Sequence, residues 1–177
     1  MTRSTVALDD VTVNNLGTFK IINEVCLPTT YPDSWYENSV KLPSEVSQLA
    51  FYSELPVGAI QGKLINLSHK IPSFEVATSI LMNTKLKIVH DALYIESLAV
   101  LPAYRGKGVG SKLLEWIIEQ TKERFVHEIA LHVHVDNKEA IEWYKKKGFQ
   151  QQEEVVKDYY KQQELPNPDA YIFKMTV

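Results

Sequence analysis

The chain has 177 residues, of which 23% are charged and 45% hydrophobic, and its formal net charge is −3. A length of this order suits one hydrophobic core, so we predict a single domain over residues 1–177. The small negative charge gives no electrostatic reason to expect direct nucleic-acid binding or an anionic membrane as the main partner.

Cysteine usage and apolar runs bear on the compartment. Cys26 is the only cysteine, which excludes an intramolecular disulfide and fits a reducing compartment. The first ten residues carry no apolar segment typical of a signal peptide, and no apolar run is long enough to span a membrane. We therefore expect a cytoplasmic protein, with a nuclear pool left open, and we predict no metal site.

The first elements are a strand and two helices. Alternating apolar residues predict a strand at 5–13, and Asn14 or Asn15 can cap the helix that follows. Prolines then end this helix, and residues 33–41 predict a short second one. The apolar face of the first helix carries Leu16, Phe19, Ile22 and Cys26.

A hairpin and an insertion follow. Two apolar runs at 46–53 and 57–67 are separated by a proline-containing turn and predict a β-hairpin. Residues 68–90 show neither helical nor strand periodicity, so we interpret them as an insertion.

The middle of the chain reads as strand, turn and helix. Residues 92–101 predict a strand and residues 102–107 a turn. A helix at 108–122 has an apolar stripe that includes Val109, Leu113, Trp116 and Ile117.

The last elements repeat that order and then add two strands. A strand is predicted at 126–135, and Asp136 is predicted to cap a helix at 137–147 that Gly148 closes. Strands at 149–156 and 170–175 end the chain.

The element order βααββ, βα, βα, ββ predicts an α/β fold. The early hairpin excludes an all-parallel sheet. We predict a mixed, largely antiparallel sheet with helices on both faces.

A glycine-rich turn joins the predicted strand at 92–101 to the helix at 108–122. Its sequence from 105 to 111 is RGKGVGS, and the N–H groups at a helix start have no intrahelical partner. Glycines let the backbone approach an anion, and the basic side chains and the helix dipole add positive potential. The turn therefore predicts a phosphate site, although three glycines alone also fit a plain solvated turn.

The spacing of this turn argues against the common nucleotide motifs. G-x-x-x-x-G-K-[ST] is absent, and the third glycine comes one residue too early for G-x-G-x-x-G. Nucleotide hydrolysis and dinucleotide binding are therefore disfavoured.

Two motifs in order resemble the GNAT acetyltransferase superfamily. The first is R-x-x-G-x-G at 105–110, and the second is N-x-x-A-x-x-[FW]-Y-x-x-x-G-F at 137–149. The resemblance implies the GNAT fold and acetyl-CoA as cofactor, with its pyrophosphate on the glycine turn and Tyr144 near its sulfur. The cofactor-binding residues that it implies are Leu98, Ala99, Val100, Arg105, Gly106, Lys107, Gly108, Val109, Gly110, Ser111, Asn137 and Tyr144.

Within that superfamily the chain resembles the N-alpha-acetyltransferase 50 group, which acetylates protein N-termini. The similar segments are LYIESL at 93–98, LHV at 131–133, DYYK at 158–161 and LPTTY at 27–31. The resemblance implies that Tyr94 and His132 remove the amine proton through an ordered water and that Tyr144 is a third catalytic residue. It implies a peptide site formed by Leu27, Pro28, Tyr31, Glu96, Tyr159 and Tyr160.

The proposed substrate group is chemically reasonable. An α-amine has a pKa near 7.7 to 8 and is partly neutral at cytosolic pH, whereas a lysine side chain near 10.4 is not. A modest base such as a neutral histidine is therefore sufficient. On the residues alone, His132 also fits a strand histidine that pairs with His134 on one face.

The chain departs from the group's pattern in three places, of which the first two bear on the substrate and the third, the insertion, fits a partner contact or surface decoration. The group usually has an apolar residue at the position of Glu96 and an aromatic residue at that of Leu27, both in the pocket for the first side chain. Its usual preference is methionine followed by an apolar residue. Because residues i and i+2 share a strand face, Glu96 is expected beside Tyr94, as an additional base, as a site for a cationic group, or as a solvated residue. The insertion at 68–90 is the third departure.

The resemblance also implies partners. Members of this group associate with the catalytic and auxiliary subunits of NatA and, through them, with the ribosome. Two alternatives remain open, a GNAT enzyme that acts on lysine or another amine, and a weakly active subunit whose role is to bind partners.

Overall fold

The computed structural model describes residues 5–66, 90–163 and 165–177. Apart from His90, the predicted insertion at 68–90 lies outside the described residues. The predicted element order is found in the described ranges. No helix in those ranges is both long and apolar enough to cross a membrane.

Five elements form the first part of the fold, and their bounds agree with the predictions to within a few residues. They are β1 Val6–Asp10, α1 Leu16–Cys26, α2 Asp33–Lys41, β2 Glu45–Tyr52 and β3 Leu55–Ile65.

Six further elements form the second part, again in the predicted order. They are β4 Ala92–Val100, α3 Val109–Glu123, β5 Glu128–His134, α4 Lys138–Lys146, β6 Gln150–Val156 and β7 Ala170–Thr176.

The side chain of Asn15 does not cap α1, although Asn15 occupies the residue before the helix. Its Oδ1 accepts a hydrogen bond from the Thr12 N–H at 2.7 Å, and its Nδ2 donates to the Asp10 carbonyl at 2.8 Å. Asn15 therefore closes the turn between β1 and α1.

The predicted cap of α4 was wrong by one residue. Asn137 is the cap, because its Oδ1 accepts a hydrogen bond from the Ala140 N–H at 3.1 Å. Asp136 belongs to the preceding turn, where its N–H donates to Nδ1 of His134 at 3.2 Å. Asp and Asn are comparable caps by type, so only the backbone path decides between them.

The seven strands form one sheet in the order β1-β2-β3-β4-β5-β7-β6. All neighbours are antiparallel except β4 and β5, which run parallel. Their pairing covers only residues 92–94 of β4 against 128–130 of β5. Beyond Tyr94 the two strands separate, which opens a cleft beside the rest of β4.

Helices cover both faces of the sheet, as predicted. On one face α3 buries Val109, Leu113 and Ile117 in a core that also includes Tyr144 of α4. On the other face α1 and α2 bury Phe19, Ile22 and Tyr36.

A glycine in β3 lets α3 approach the sheet closely. A Cβ on Gly58 would lie 2.8 Å from Cγ1 of Val109. This close approach fixes the start of α3, and with it the glycine-rich turn, against the sheet.

A β-bulge changes which residues of β4 face which helices. Gln61 pairs with Ser97 while Gly62 pairs with Ile95, so Glu96 is the extra residue. Ile95 packs in the core under α3, whereas Ala99 packs in the core under α1 and α2. The bulge therefore leaves Tyr94 and Glu96 on the α1 side, where they line the same cavity.

Candidate active site

A cavity of about 550 Å³ lies between the end of β4, the start of α3 and α4. Ten of the predicted cofactor residues line it, which are Leu98, Ala99, Val100, Arg105, Gly106, Gly108, Gly110, Ser111, Asn137 and Tyr144.

Two predicted cofactor residues do not line this cavity. The Lys107 ammonium lies 5.3 Å from the centroid of the Tyr52 ring. Val109 is 1% exposed and its side chain belongs to the core. The Lys107 side chain therefore contacts an aromatic ring at the surface, and the Val109 side chain packs in the core.

The glycine-rich turn has the backbone geometry of an anion cradle. Gly106 and Gly108 have φ of 71° and 84°, and Gly108 is the residue before α3. Only glycine adopts such angles without strain. The first N–H groups of α3 have no intrahelical acceptor, and the helix dipole adds positive potential there. Arg105, whose Nε donates to the Val100 carbonyl at 3.1 Å, adds a cation. The cavity therefore fits a diphosphate followed by a narrow chain along β4.

Several lining residues of the larger cavity were missed or differently assigned. Cys26, Leu27 and Pro28 line it from the end of α1, although Leu27 and Pro28 were predicted in the peptide site. Trp143 and Glu139 line it from α4. Trp143 and Glu139 lie within the second motif and were available from it, whereas nothing in the sequence placed Cys26 there.

Tyr144 lies where α4 meets the larger cavity. It is 8% exposed, and its ring packs edge-on against Phe149 with centroids 5.3 Å apart. Burial raises the pKa of Tyr144 above its usual value. Its phenol is therefore protonated at neutral pH and able to donate.

A second cavity, of about 250 Å³, contains most of the predicted peptide site and the catalytic pair. Its lining residues come from the α1–α2 loop, from β4 and β5, and from the segment after β6. They are Thr29, Tyr31, Tyr94, Ile95, Glu96, His132, Tyr159, Tyr160 and Gln163. Thr29 and Gln163 were missed, because only the tertiary fold brings them together, with Nε2 of Gln163 donating to Oγ1 of Thr29 at 2.9 Å.

The catalytic pair forms a hydrogen-bonded chain. The Tyr94 hydroxyl lies 2.7 Å from Nδ1 of His132 and 2.7 Å from the Tyr159 hydroxyl. The Tyr159 ring stacks on His132 with centroids 4.1 Å apart. Burial lowers the pKa of His132 and raises that of Tyr94. A neutral imidazole and a protonated phenol are therefore the forms present at neutral pH.

His134 has a different role from His132. Its Nδ1 accepts from the Asp136 N–H, and its Nε2 donates to the Asn167 carbonyl. These two contacts fix the tautomer and hold the loop before β7. The alternative that His132 merely pairs with His134 is therefore not what the structure shows.

The Glu96 carboxylate accepts hydrogen bonds from two neutral side chains. Its Oε2 accepts from Nε1 of Trp35 at 3.1 Å and from Nε2 of Gln61 at 3.3 Å. The same Nε2 donates to Glu45 at 3.1 Å, and Glu45 lies 3.4 Å from the Lys63 ammonium. Burial raises the pKa of Glu96 to about 7, and the Glu45 carboxylate acts in the same direction.

Tyr31 and Tyr160 shape the walls of the smaller cavity. The Tyr31 hydroxyl donates to the Glu96 carbonyl at 2.8 Å, and its ring stacks on Trp35 with centroids 3.9 Å apart. Tyr160 packs edge-on against Tyr159 with centroids 4.8 Å apart. Burial raises the pKa of both Tyr31 and Tyr160, so both remain neutral.

The described residues contain no group of three or more His, Cys, Asp or Glu side chains able to hold a metal ion.

Fold and cavities together define an acetyltransferase of the GNAT class. Residues 18–149 match the model of the acetyltransferase (GNAT) family, and the chain belongs to that family. The sequence predictions of the GNAT fold and of an acetyltransferase are confirmed.

Within this family, the chain is similar over most of its length to N-acetyltransferases from animals and a plant. The chain is 32% identical to "Probable N-acetyltransferase san" of Drosophila melanogaster, over 100% of this chain and 84% of that protein. It is 30% identical to N-alpha-acetyltransferase 50 of Danio rerio, over 97% of this chain and 89% of that protein. The solved structure of Arabidopsis thaliana Naa50 with the bisubstrate analogue CoA-Ac-MVNAL is 31% identical, with a TM-score of 0.76 over 98% of this chain and 100% of that one.

Proposed function

We propose that this protein transfers the acetyl group of acetyl-CoA to the α-amine of peptides. The main support for this proposal is the hydrogen-bonded chain of Tyr159, Tyr94 and His132 in the smaller cavity. The two cavities share the same two segments of chain: residues 94–96 of β4 and Thr29 line the smaller cavity, and residues 98–100 of β4 with Leu27 and Pro28 line the larger one. An amine donor in one cavity and an acyl donor in the other would meet along β4.

Acetyl-CoA supplies the activated acyl group, and the larger cavity fits it. The glycine turn and Arg105 would hold the pyrophosphate, and Asn137 would contact the chain that leads to the thioester. Agreement with the named relatives confirms acetyl-CoA as the cofactor and N-alpha-acetylation as the reaction class. The individual residue roles remain part of this proposal.

His132 and Tyr94 would take the proton from the amine. A buried neutral imidazole is a suitable acceptor, and the Tyr94 hydroxyl between His132 and Tyr159 would orient an intervening water. Because the pKa of Tyr94 is raised by burial, we assign it the orienting role and assign His132 the proton.

Tyr144 would give a proton to the departing sulfur. Its phenol is protonated and the residue lines the larger cavity, so it would act as a general acid where its hydroxyl comes within hydrogen-bond reach of the sulfur. Backbone N–H groups near Leu98 and Val100 would polarise the reacting carbonyl, as donors do in an oxyanion hole. Beyond Tyr94, β4 has no pairing with β5, so this edge of the strand is open to a ligand.

The test locates the acetyl group. Purified protein is incubated with acetyl-CoA and a peptide that has a free N-terminus and an internal lysine, and fragment mass spectrometry maps the product. We expect acetyl on the α-amine. Acetyl only on the lysine would favour the alternative lysine acetyltransferase, and no transfer despite acetyl-CoA binding would favour a partner-binding subunit.

We also propose, on the family resemblance, association with the NatA catalytic and auxiliary subunits, through them with the ribosome, and a cytoplasmic location. Reconstitution with purified NatA subunits, followed by size-exclusion chromatography, tests the association. Elution of this chain separately from NatA at micromolar concentration would contradict it.

A further inference from the structure

The lining residues of the smaller cavity nearly all carry a polar group. Hydroxyl groups, an imidazole, an amide and a carboxylate line it, and among the described residues its only aliphatic member is Ile95, whose side chain packs in the core under α3. An apolar first side chain, such as that of methionine, gains its affinity from apolar contacts. The described lining offers it tyrosine rings but, apart from Ile95, no aliphatic side chain.

Glu96 presents an acceptor to this cavity without a cation of its own. Both hydrogen bonds that the described residues donate to its carboxylate reach Oε2. Within the described ranges no Lys, Arg or His lies at ion-pair distance from Glu96, since the nearby Lys63 ammonium pairs with Glu45. A carboxylate removed from water without a counter-charge is costly, and a cationic group in the cavity would offset that cost.

Gln163 lines the same cavity and carries an acceptor without a partner among the described residues. Its Nε2 donates to Thr29, which fixes the amide, and its Oε1 is buried without a hydrogen-bond partner among the described residues. A buried acceptor of this kind destabilises the protein until a donor reaches it. The Glu96 carboxylate, with this unpartnered amide oxygen nearby, therefore favours an occupant rich in donors.

We propose, building on the N-terminal acetylation proposed above, that Glu96 makes this enzyme select peptides whose first residue is arginine or lysine. With the α-amine at His132 and Tyr94, the side chain of the same residue must reach Glu96, two residues further along β4, which in a regular strand is about 6.6 Å and at a bulge is no more than that. The long side chains of arginine and lysine span such a distance and end in several donors. The carboxylate replaces the apolar contact that a methionine would use.

Three peptides that differ only in their first residue test the charge directly. They begin with arginine, with citrulline, which has the shape of arginine without its charge, and with methionine. The kcat/KM for α-acetylation is measured at pH 8 by mass spectrometry. For the wild-type protein we expect arginine to exceed citrulline by about ten- to a hundredfold, the range of a charge-assisted hydrogen bond.

Glu96→Gln keeps the shape of the side chain and removes its charge. We expect it to reduce the ratio of arginine to citrulline to about one. Glu45→Gln is the matched control, because Glu45 belongs to the same network but does not line the cavity. The ratio should survive in that variant at pH 8.

The outcomes separate the two proposals. α-Acetylation of the methionine peptide with no advantage for arginine over citrulline would overturn this inference and leave the proposed function intact. An advantage for arginine that persists in Glu96→Gln would also overturn it. Absence of α-acetylation on all three peptides would overturn both proposals. The wild-type ratio needs no variant, so poor folding of Glu96→Gln would not remove the test.

Discussion

The two cavities differ in how the chain builds them. The larger one is made mainly by two contiguous segments, the glycine-rich turn at 105–111 and α4, and much of its chemistry lies in backbone N–H groups. The smaller one is made by side chains from four separate segments. A backbone cradle requires particular residues at fixed spacing, whereas a side-chain pocket changes with single substitutions. Cofactor recognition should therefore be stable across relatives while the substrate pocket diverges.

The largest expected effect is a loss of peptide acetylation in a variant of the smaller cavity that leaves acetyl-CoA binding in the larger cavity unchanged. His132→Ala removes the proposed proton acceptor and should lower kcat/KM for the peptide by about 10²- to 10⁴-fold, the usual range for a general base. The KM for acetyl-CoA should stay within about twofold. Steady-state kinetics with each substrate varied in turn measures both constants.

Tyr94→Phe is the companion variant, because it keeps the ring and removes the hydroxyl that His132 contacts. It should lower kcat less than His132→Ala does. In the wild type, burial lowers the pKa of His132 from 6.5, so the neutral base persists below pH 6.5 and the acid limb of activity that it causes should lie below that value. A full loss in Tyr94→Phe with no loss in His132→Ala would contradict the assigned roles.

A substitution in the glycine-rich turn should have a smaller effect, on the KM for acetyl-CoA. Gly108→Ala places a Cβ at φ of 84°, which costs about 1–2 kcal/mol in the left-handed region. The KM for acetyl-CoA should rise about tenfold, since relief of the strain moves the N–H groups of the turn. The peptide KM should change little.

Gly17→Ala is the matched control for that variant. Both glycines have open space for a Cβ, but Gly17 lies in α1 without a positive φ. Alanine there should stabilise the protein by up to about 1 kcal/mol in chemical denaturation. An equal effect of the two substitutions on acetyl-CoA would show that the conformation of Gly108 is unimportant.

The contrast between contiguous segments and separate segments of the chain also explains which features could be predicted from the sequence. Element order, the mixed sheet and the glycine turn follow from local patterns that hold over ten or more residues, and these predictions were confirmed. The bulge at Glu96, the contact of Gln163 with Thr29 and the Trp35 hydrogen bond depend on the register of distant strands. No local pattern encodes that register, so the hydrogen-bond network around Glu96 was found only in the structure, although most polar residues of the smaller cavity were predicted from the sequence.

A modest stability effect tests the corrected helix cap. Asn137→Ala should lower the free energy of unfolding by about 1 kcal/mol, because the Ala140 N–H loses its acceptor. Asp136→Ala should change it by less than about 0.5 kcal/mol, since its N–H contact with His134 is made by the backbone. Urea denaturation of both variants measures the difference. A larger loss for Asp136→Ala would restore the cap predicted from sequence.

The smallest expected effect is a shift in pH dependence within the smaller cavity. The pKa of Glu96 is raised to about 7 by burial first and by Glu45 second, so its carboxylate becomes charged as pH rises through 7. The preference for arginine over citrulline should therefore increase from pH 6 to pH 8. The other groups that face Glu96 are the Lys63 ammonium from β3, the Trp35 N–H from α2, the Gln61 amide and the Tyr31 hydroxyl. The α-amine titrates equally in both peptides and cancels in the ratio.

Glu45→Gln removes the second cause and leaves Lys63 without its acidic partner. Both changes favour the charged form of Glu96, so its pKa should fall. The midpoint at which the arginine preference develops should then move to lower pH by about one unit or less, the scale of one nearby charge. A midpoint that moves upward, or a preference independent of pH in the wild type, would mean that Glu96 does not titrate against the substrate and that its network serves only the packing of β2, β3 and β4.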